Sequence, residues 1–157
     1  MKATQRARCA SGDASRELAD RALDEADEPP LVLIADDFGD AREMYREYLE
    51  FVGFRAAEAR DGNEAIARAR ELAPSVILMD LAMPTMDGWE ATRQLKADPR
   101  TRGIPVIAIT GHALSGDAER ARAAGCDGVL SKPCLPQKVV EEVRRALALE
   151  RTGEARD

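Results

Sequence analysis

Apolar residues fall along this chain in two alternating patterns. Leu31-Val32-Leu33-Ile34-Ala35, Val76-Ile77-Leu78-Met79 and Pro105-Val106-Ile107-Ala108-Ile109 are apolar at consecutive positions, as strands covered on both faces are. Weaker runs at 54–58 and 128–131 bring the expected strands to five. Between the runs the apolar spacing changes to threes and fours, the helical period. Ala41, Met44, Tyr45, Tyr48, Leu49 and Val52 mark a first helix, with Gly53 as its C-terminal stop. Asp61 or Asn63 begins a second, carrying Ala65, Ile66, Ala69 and Leu72 up to Pro74. Residues 89–96 predict a third, 118–124 closed by Gly125 a fourth, and Val139, Val143, Ala146 and Leu147 mark one face of a fifth.

Strands alternating with helices over short connections predict parallel pairing by right-handed crossovers. The expected fold is therefore α/β: a doubly wound, five-stranded parallel sheet with helices on both faces. Pro29-Pro30 ends whatever precedes it, dividing the chain into an arm at 1–29, one compact domain at 30–149 and a polar tail at 150–157. Within the arm, Leu18, Ala19, Ala22, Leu23 and Ala26 follow helical spacing after Ser15. That thin stripe fits either a solvated arm or a short docking or dimerising helix.

Composition narrows the function. The 157 residues are 45% hydrophobic and 33% charged, which suits a globular protein. A net charge of −6 and a pI near 5.0 disfavour nucleic acid as a partner. The longest aliphatic runs are far below the roughly 20 residues of a membrane span, and no secretory h-region follows the basic N-terminus. No membrane association and a cytoplasmic address are expected. Cys9, Cys126 and Cys134 form no Cys-x-x-Cys pair and are read as reduced thiols.

In doubly wound sheets, chemistry collects outside the carboxyl ends of the strands. Asp36 and Asp37 follow the first strand, Asp80 follows the third, Thr110 ends the fourth and Lys132 follows the fifth. Two unit charges 4 Å apart interact by about 4 kcal/mol at an effective dielectric near 20, so three clustered carboxylates call for a cation. Oxygen ligands of this kind suit Mg²⁺, which keeps several waters and takes one or two protein carboxylates. Lys132 would supply a further positive charge and Thr110 a hydroxyl donor for a phosphoryl oxygen. A carboxylate can itself be the nucleophile, forming an aspartyl phosphate.

On these residues the sequence resembles the receiver domain of bacterial response regulators. The resemblance covers residues 31–149 and rests on Asp36-Asp37, the run Asp80-Leu81-Ala82-Met83-Pro84-Thr85-Met86-Asp87-Gly88, Thr110, and Lys132-Pro133. It implies the strand order 2-1-3-4-5 and the role of a single-domain response regulator. It implies that Asp80 accepts a phosphoryl group from a phosphohistidine of a sensor histidine kinase or phosphotransfer protein. Asp36, Asp37, Asp80 and the Ala82 backbone carbonyl would hold Mg²⁺, with Thr110 and Lys132 on the phosphoryl group. The Lys132-Pro133 bond is expected in cis, and the output would pass to a downstream protein through residues at about 113–149.

Several features depart from the family pattern or compete with it. Val129 stands where the family usually carries an aromatic switch residue, which puts coupling by a ring flip in question. His112 and Ala82 occupy the positions that tune hydrolysis of the aspartyl phosphate in the family. Capping of the first helix is the structural alternative for Asp36 and Asp37. A Mg²⁺-dependent phosphohydrolase working through an aspartyl phosphate, and an unphosphorylated adaptor of the same fold, are the alternative functions; the former class carries Asp-x-Asp, absent from both acidic sites.

Overall fold

A computed structural model describes residues 28–111 and 116–152 of the chain. The arm helix, His112 and the end of the tail lie outside the described residues. Five strands, β1 (Leu31–Ala35), β2 (Arg55–Ala59), β3 (Val76–Asp80), β4 (Val106–Thr110) and β5 (Gly128–Ser131), form one sheet in the order β2-β1-β3-β4-β5. Every pairing is parallel. The helices are α1 (Gly39–Phe51), α2 (Gly62–Leu72), α3 (Gly88–Ala97), α4 (Asp117–Ala124) and α5 (Pro136–Thr152). The expected α/β fold and strand order are both present.

The continuous apolar runs follow from burial on two sides. Leu33, Ala35, Ile77, Met79, Val106 and Ala108 pack with Ala65, Ile66, Trp89, Leu95 and Ala121 of α2, α3 and α4. Their immediate neighbours Val32, Ile34, Val76, Leu78, Ile107 and Ile109 pack with Tyr45, Leu49, Val139 and Val143 of α1 and α5. Successive side chains alternate between the two layers, so no strand position in β1, β3 or β4 can be polar without cost. Each fully buried Leu or Ile contributes about 1.5–3 kcal/mol.

The local signals act mostly as read. Asp61 caps α2, its carboxylate accepting from the Glu64 amide at 2.8 Å, and Glu64 accepts from the Arg60 amide at 2.9 Å. Gly53 follows α1 with φ 104°, a left-handed position that favours glycine. The second strand is displaced by one residue from the expected 54–58. As an edge strand with Arg55 exposed and three half-buried residues, it lacks the apolar contrast that fixes a boundary. Met44 is 42% exposed although it shares the helical spacing, because it lies one residue, or about 100°, from the buried Tyr45.

Candidate functional site

Strand register brings the polar strand ends together. Ala35 pairs with Met79, so Asp36 and Asp80 leave the sheet side by side. Asp80 pairs with Ile109, one residue before Thr110, and Thr110 pairs with Ser131, one residue before Lys132. The Lys132 amide donates to the Thr110 carbonyl at 2.7 Å, extending that pairing past the strand end. The Lys132-Pro133 bond is cis, as expected.

Carboxylate oxygens of Asp36, Asp37 and Asp80 lie within 4.8 Å of one another. Asp36 and Asp80 are buried, at 2% and 3% exposure, while Asp37 is exposed at the rim. The Lys132 ammonium stands 3.2 Å from Asp80 Oδ2 and 3.8 Å from Asp36 Oδ2. The Ala82 amide donates to Asp80 Oδ1 at 3.1 Å, which fixes the plane of that carboxylate. The Phe38 amide donates to Asp36 Oδ1 at 2.9 Å. Asp36 Oδ2 is buried and accepts no hydrogen bond among the described residues.

Helix capping does not account for the acidic pair. Phe38 is the N-cap of α1, and no side chain caps that helix. Burial pushes the Asp36 carboxyl up to about 6; the Phe38 amide works against this and the neighbouring Asp80 charge adds to it. A buried oxygen without a donor, on a carboxyl that resists ionisation beside two others, has the chemistry of a cation ligand. The donor set is all oxygen, which suits a hard divalent ion.

The loop after Asp80 is held by its own backbone. Thr85 has φ 63°, the Met86 amide donates to the Pro84 carbonyl at 2.7 Å, and Asp87 caps α3 by accepting from the Glu90 amide at 3.0 Å. Gly88 meets the end of β3 so closely that a Cβ there would collide with the Asp80 carbonyl oxygen. The Asp87-Gly88 pair thus seats α3 directly against the end of β3.

Asp80, Ala82, Thr110 and Lys132 border an open cleft of about 510 Å³, together with Asp87, Trp89, Asp117 and Arg120, and Asp36 and Asp37 stand beside Asp80. Sequence reasoning brought Asp36, Asp37, Asp80, Ala82, Thr110 and Lys132 to one place, and the structure gathers all six there. It missed Asp117 and Arg120, and assigned Trp89 to packing alone. Trp89 does pack in the core, at 9% exposure, but its ring also carries the Arg120 guanidinium 4.3 Å from its centroid. The available signal was topological: a helix that follows a strand begins at the carboxyl edge, so the first turn of α4 faces this cleft. Val129 is half-buried and packs against the same layer as Trp89.

The family profile of the response regulator receiver domain matches residues 32–144. The chain is 39% identical over 119 residues to the polar-differentiation response regulator DivK of Brucella anthropi, covering 76% of this chain and 97% of that relative. DivK of Brucella ovis is likewise 39% identical, over 116 residues, with 74% and 94% covered. Among solved structures, Vibrio cholerae chemotaxis protein CheY4 superposes with a TM-score of 0.72 at 28% identity, covering 76% of this chain and 99% of that one. The receiver domain of the sensor histidine kinase PA1611 of Pseudomonas aeruginosa, described with a magnesium ion coordinated in its active-site cleft, gives 0.72 at 30% identity over 76% and 98%.

Proposed function

The chain belongs to the response regulator receiver domain family and is a signalling protein of the two-component kind, and within that role we propose that Asp80 is the side chain that takes up the phosphoryl group. The carrying observation is the cluster itself: three carboxylates within 4.8 Å, one of them ending a buried strand 3.2 Å from a lysine ammonium. The donor is a phosphohistidine on a sensor histidine kinase or a phosphotransfer protein. An Asp80 oxygen attacks phosphorus, the P–N bond breaks, and its electron pair returns to the donor imidazole. The developing charge falls beside Lys132, which is already in place and needs no reorganisation.

Asp36, Asp37, Asp80 and the Ala82 carbonyl are the residues that would hold Mg²⁺. The orphaned Asp36 Oδ2 and the all-oxygen donor set fit that ion. When bound, it supplies positive charge against the transferring phosphoryl oxygens. Ala82 N–H orients the acceptor carboxylate, and Lys132 balances it. Thr110 offers its hydroxyl to the phosphoryl group once that group is on Asp80. The protein turns over only its own phosphoryl group, with no separate substrate.

Output passes through protein contacts of the α4–β5–α5 side, about 113–149, rather than through nucleic acid. No helix among the described residues is long and apolar enough to cross a membrane. Cys126 and Cys134 are free thiols, which accords with a reducing compartment, and we place the protein in the cytoplasm.

Radiolabel transfer from a phosphorylated kinase or a small acyl phosphate tests the reading. Label should saturate near one per chain, require Mg²⁺, and disappear in Asp80→Asn without loss of the folded state. Label persisting in that variant would refute the assignment, and steady release of phosphate from a phosphomonoester would point instead to a phosphohydrolase.

A further inference from the structure

Thr110 ends β4 on the same face as Val106 and Ala108, the face covered by α2, α3 and α4. There its hydroxyl donates to Asp117 Oδ2 at 2.9 Å. Asp117 lies in the first turn of α4, whose N-cap is Gly116, and the proton it accepts from Thr110 is a side-chain hydroxyl's, so this contact caps no backbone N–H of the helix. A threonine hydroxyl has one proton. It cannot be donated to Asp117 and to a phosphoryl oxygen at the same time.

Asp117 in turn leads outward. Its Oδ1 is 3.9 Å from Arg120 Nη1, and the Arg120 guanidinium lies over the Trp89 ring. Asp80, Thr110, Asp117, Arg120 and Trp89 all border the one cleft.

From this arrangement we infer that Asp117 is a positioning residue for the switch: it holds the Thr110 hydroxyl on the α4 side in the resting protein, and the phosphoryl group on Asp80 has to take that hydrogen bond from it. The inference rests on the reading of Asp80 as the acceptor and adds the group that opposes switching. The exchange is one of hydrogen bonds only: O–H to the Asp117 carboxylate is lost and O–H to a phosphoryl oxygen is made. Phosphorylation also takes residue 80 from −1 to about −2, so Asp117 is repelled as it loses its donor. Its displacement draws on Arg120 and Trp89. That gives the first turn of α4 a connection to the site that does not pass through Val129.

The test titrates beryllofluoride, a phosphoryl mimic, onto the full chain in Mg²⁺ and reads its affinity from the fluorescence of Trp89, the one tryptophan of the sequence. Asp117→Ala should tighten binding about 10- to 100-fold, the value of a hydrogen bond to a charged group. Asp117→Asn, which keeps an acceptor oxygen, should tighten it less. In a Thr110→Val background Asp117→Ala should tighten binding much less than in the parent, by the relief of repulsion alone. Unchanged or weaker binding in Asp117→Ala, with a thermal melt like the parent's, would overturn the inference. Equal tightening with and without the hydroxyl would do so too, because charge alone would then explain it. Should the alanine variant not fold, the same cycle run with Asp117→Asn decides on the same criteria. A parent that binds no beryllofluoride, or an Asp80→Asn variant that still does, fails the acceptor reading itself and is thereby distinguished from failure of the Asp117 contact.

Discussion

Lys132 Nζ stands 3.2 Å from Asp80 Oδ2, closer than to any Asp36 oxygen, the nearest being at 3.8 Å. The ammonium therefore has two effects of opposite sign. In the proposed transfer it would stabilise the charge that gathers on Asp80, and it would compete with a divalent ion for the same field. Lys132→Met should lower the rate of phosphoryl transfer by about 100- to 1,000-fold, the range seen when one preorganised donor is lost. The same variant should bind Mg²⁺ more tightly, since one positive neighbour has gone. Transfer kinetics and a Mg²⁺ titration followed by Trp89 fluorescence check the pair; a fall in both rate and affinity would mean that Lys132 holds the site's shape rather than its charge.

With Asp36 as a proposed magnesium ligand, binding of the ion would depend on pH. Burial raises its carboxyl from an ordinary 3.8 to about 6, so the folded state holds this proton more tightly than the unfolded chain does. Without metal, stability therefore falls as pH rises from about 4 to about 6 and stays lowered above that. A bound cation offsets the burden only where Asp36 is ionised. The rise in melting temperature on adding Mg²⁺ should be small near pH 5 and several degrees near pH 7.5. Asp36→Asn should melt above the parent at the higher pH in the absence of metal and should lose its response to Mg²⁺. An equal response at both pH values in the parent would contradict the assignment.

Much of this was legible because burial on two faces writes continuous apolar runs. Leu33 and Ile77 are needed by one helical layer, Ile34 and Leu78 by the other, so the apolar runs of β1 and β3 stand out, and the first polar residue after each run belongs to the carboxylate cluster. Edge strand β2 is only half covered, and its boundary was displaced accordingly. The Thr110–Asp117 contact was not legible: seven residues separate the two, and only the parity of β4 and the starting point of α4 bring the hydroxyl to that carboxylate. Spacing rules describe faces of a single element, whereas this pair spans two.

Gly88 is the point where the end of β3 and α3 are forced together. A Cβ at this position would overlap the Asp80 carbonyl oxygen and come within 2.8 Å of Leu81 Cα, both backbone atoms that cannot step aside. Gly88→Ala should destabilise the fold by about 1–3 kcal/mol, the usual cost of overpacking, and should slow labelling of Asp80 because the strand end must shift. Gly39→Ala is the control, since its Cβ would make an ordinary contact with Arg42 Nη2 at 3.6 Å in the first turn of a helix. Urea melts of the two variants should separate them clearly. Near-identical midpoints would show that the loop after Asp80 relaxes freely.

Cys126 is built to be inert. It is 7% exposed, its Sγ lies 3.8 Å from Thr92 Oγ1, and burial pushes its thiol up to about 11. The nucleophile in alkylation and oxidation is the thiolate, which at pH 7.5 is then a small fraction of one per cent of the population. Cys134 is also shifted upward by burial, but it is only half-buried and should react first. Pulsed alkylation with peptide mapping should therefore show Cys126 modified at a rate that follows global unfolding and rises with denaturant. Treatment with peroxide under native conditions should leave Cys126 reduced and beryllofluoride affinity unaltered. Rapid modification of Cys126 in the folded protein, insensitive to denaturant, would mean that this layer of the core opens locally, and would make a redox role for the thiol worth testing.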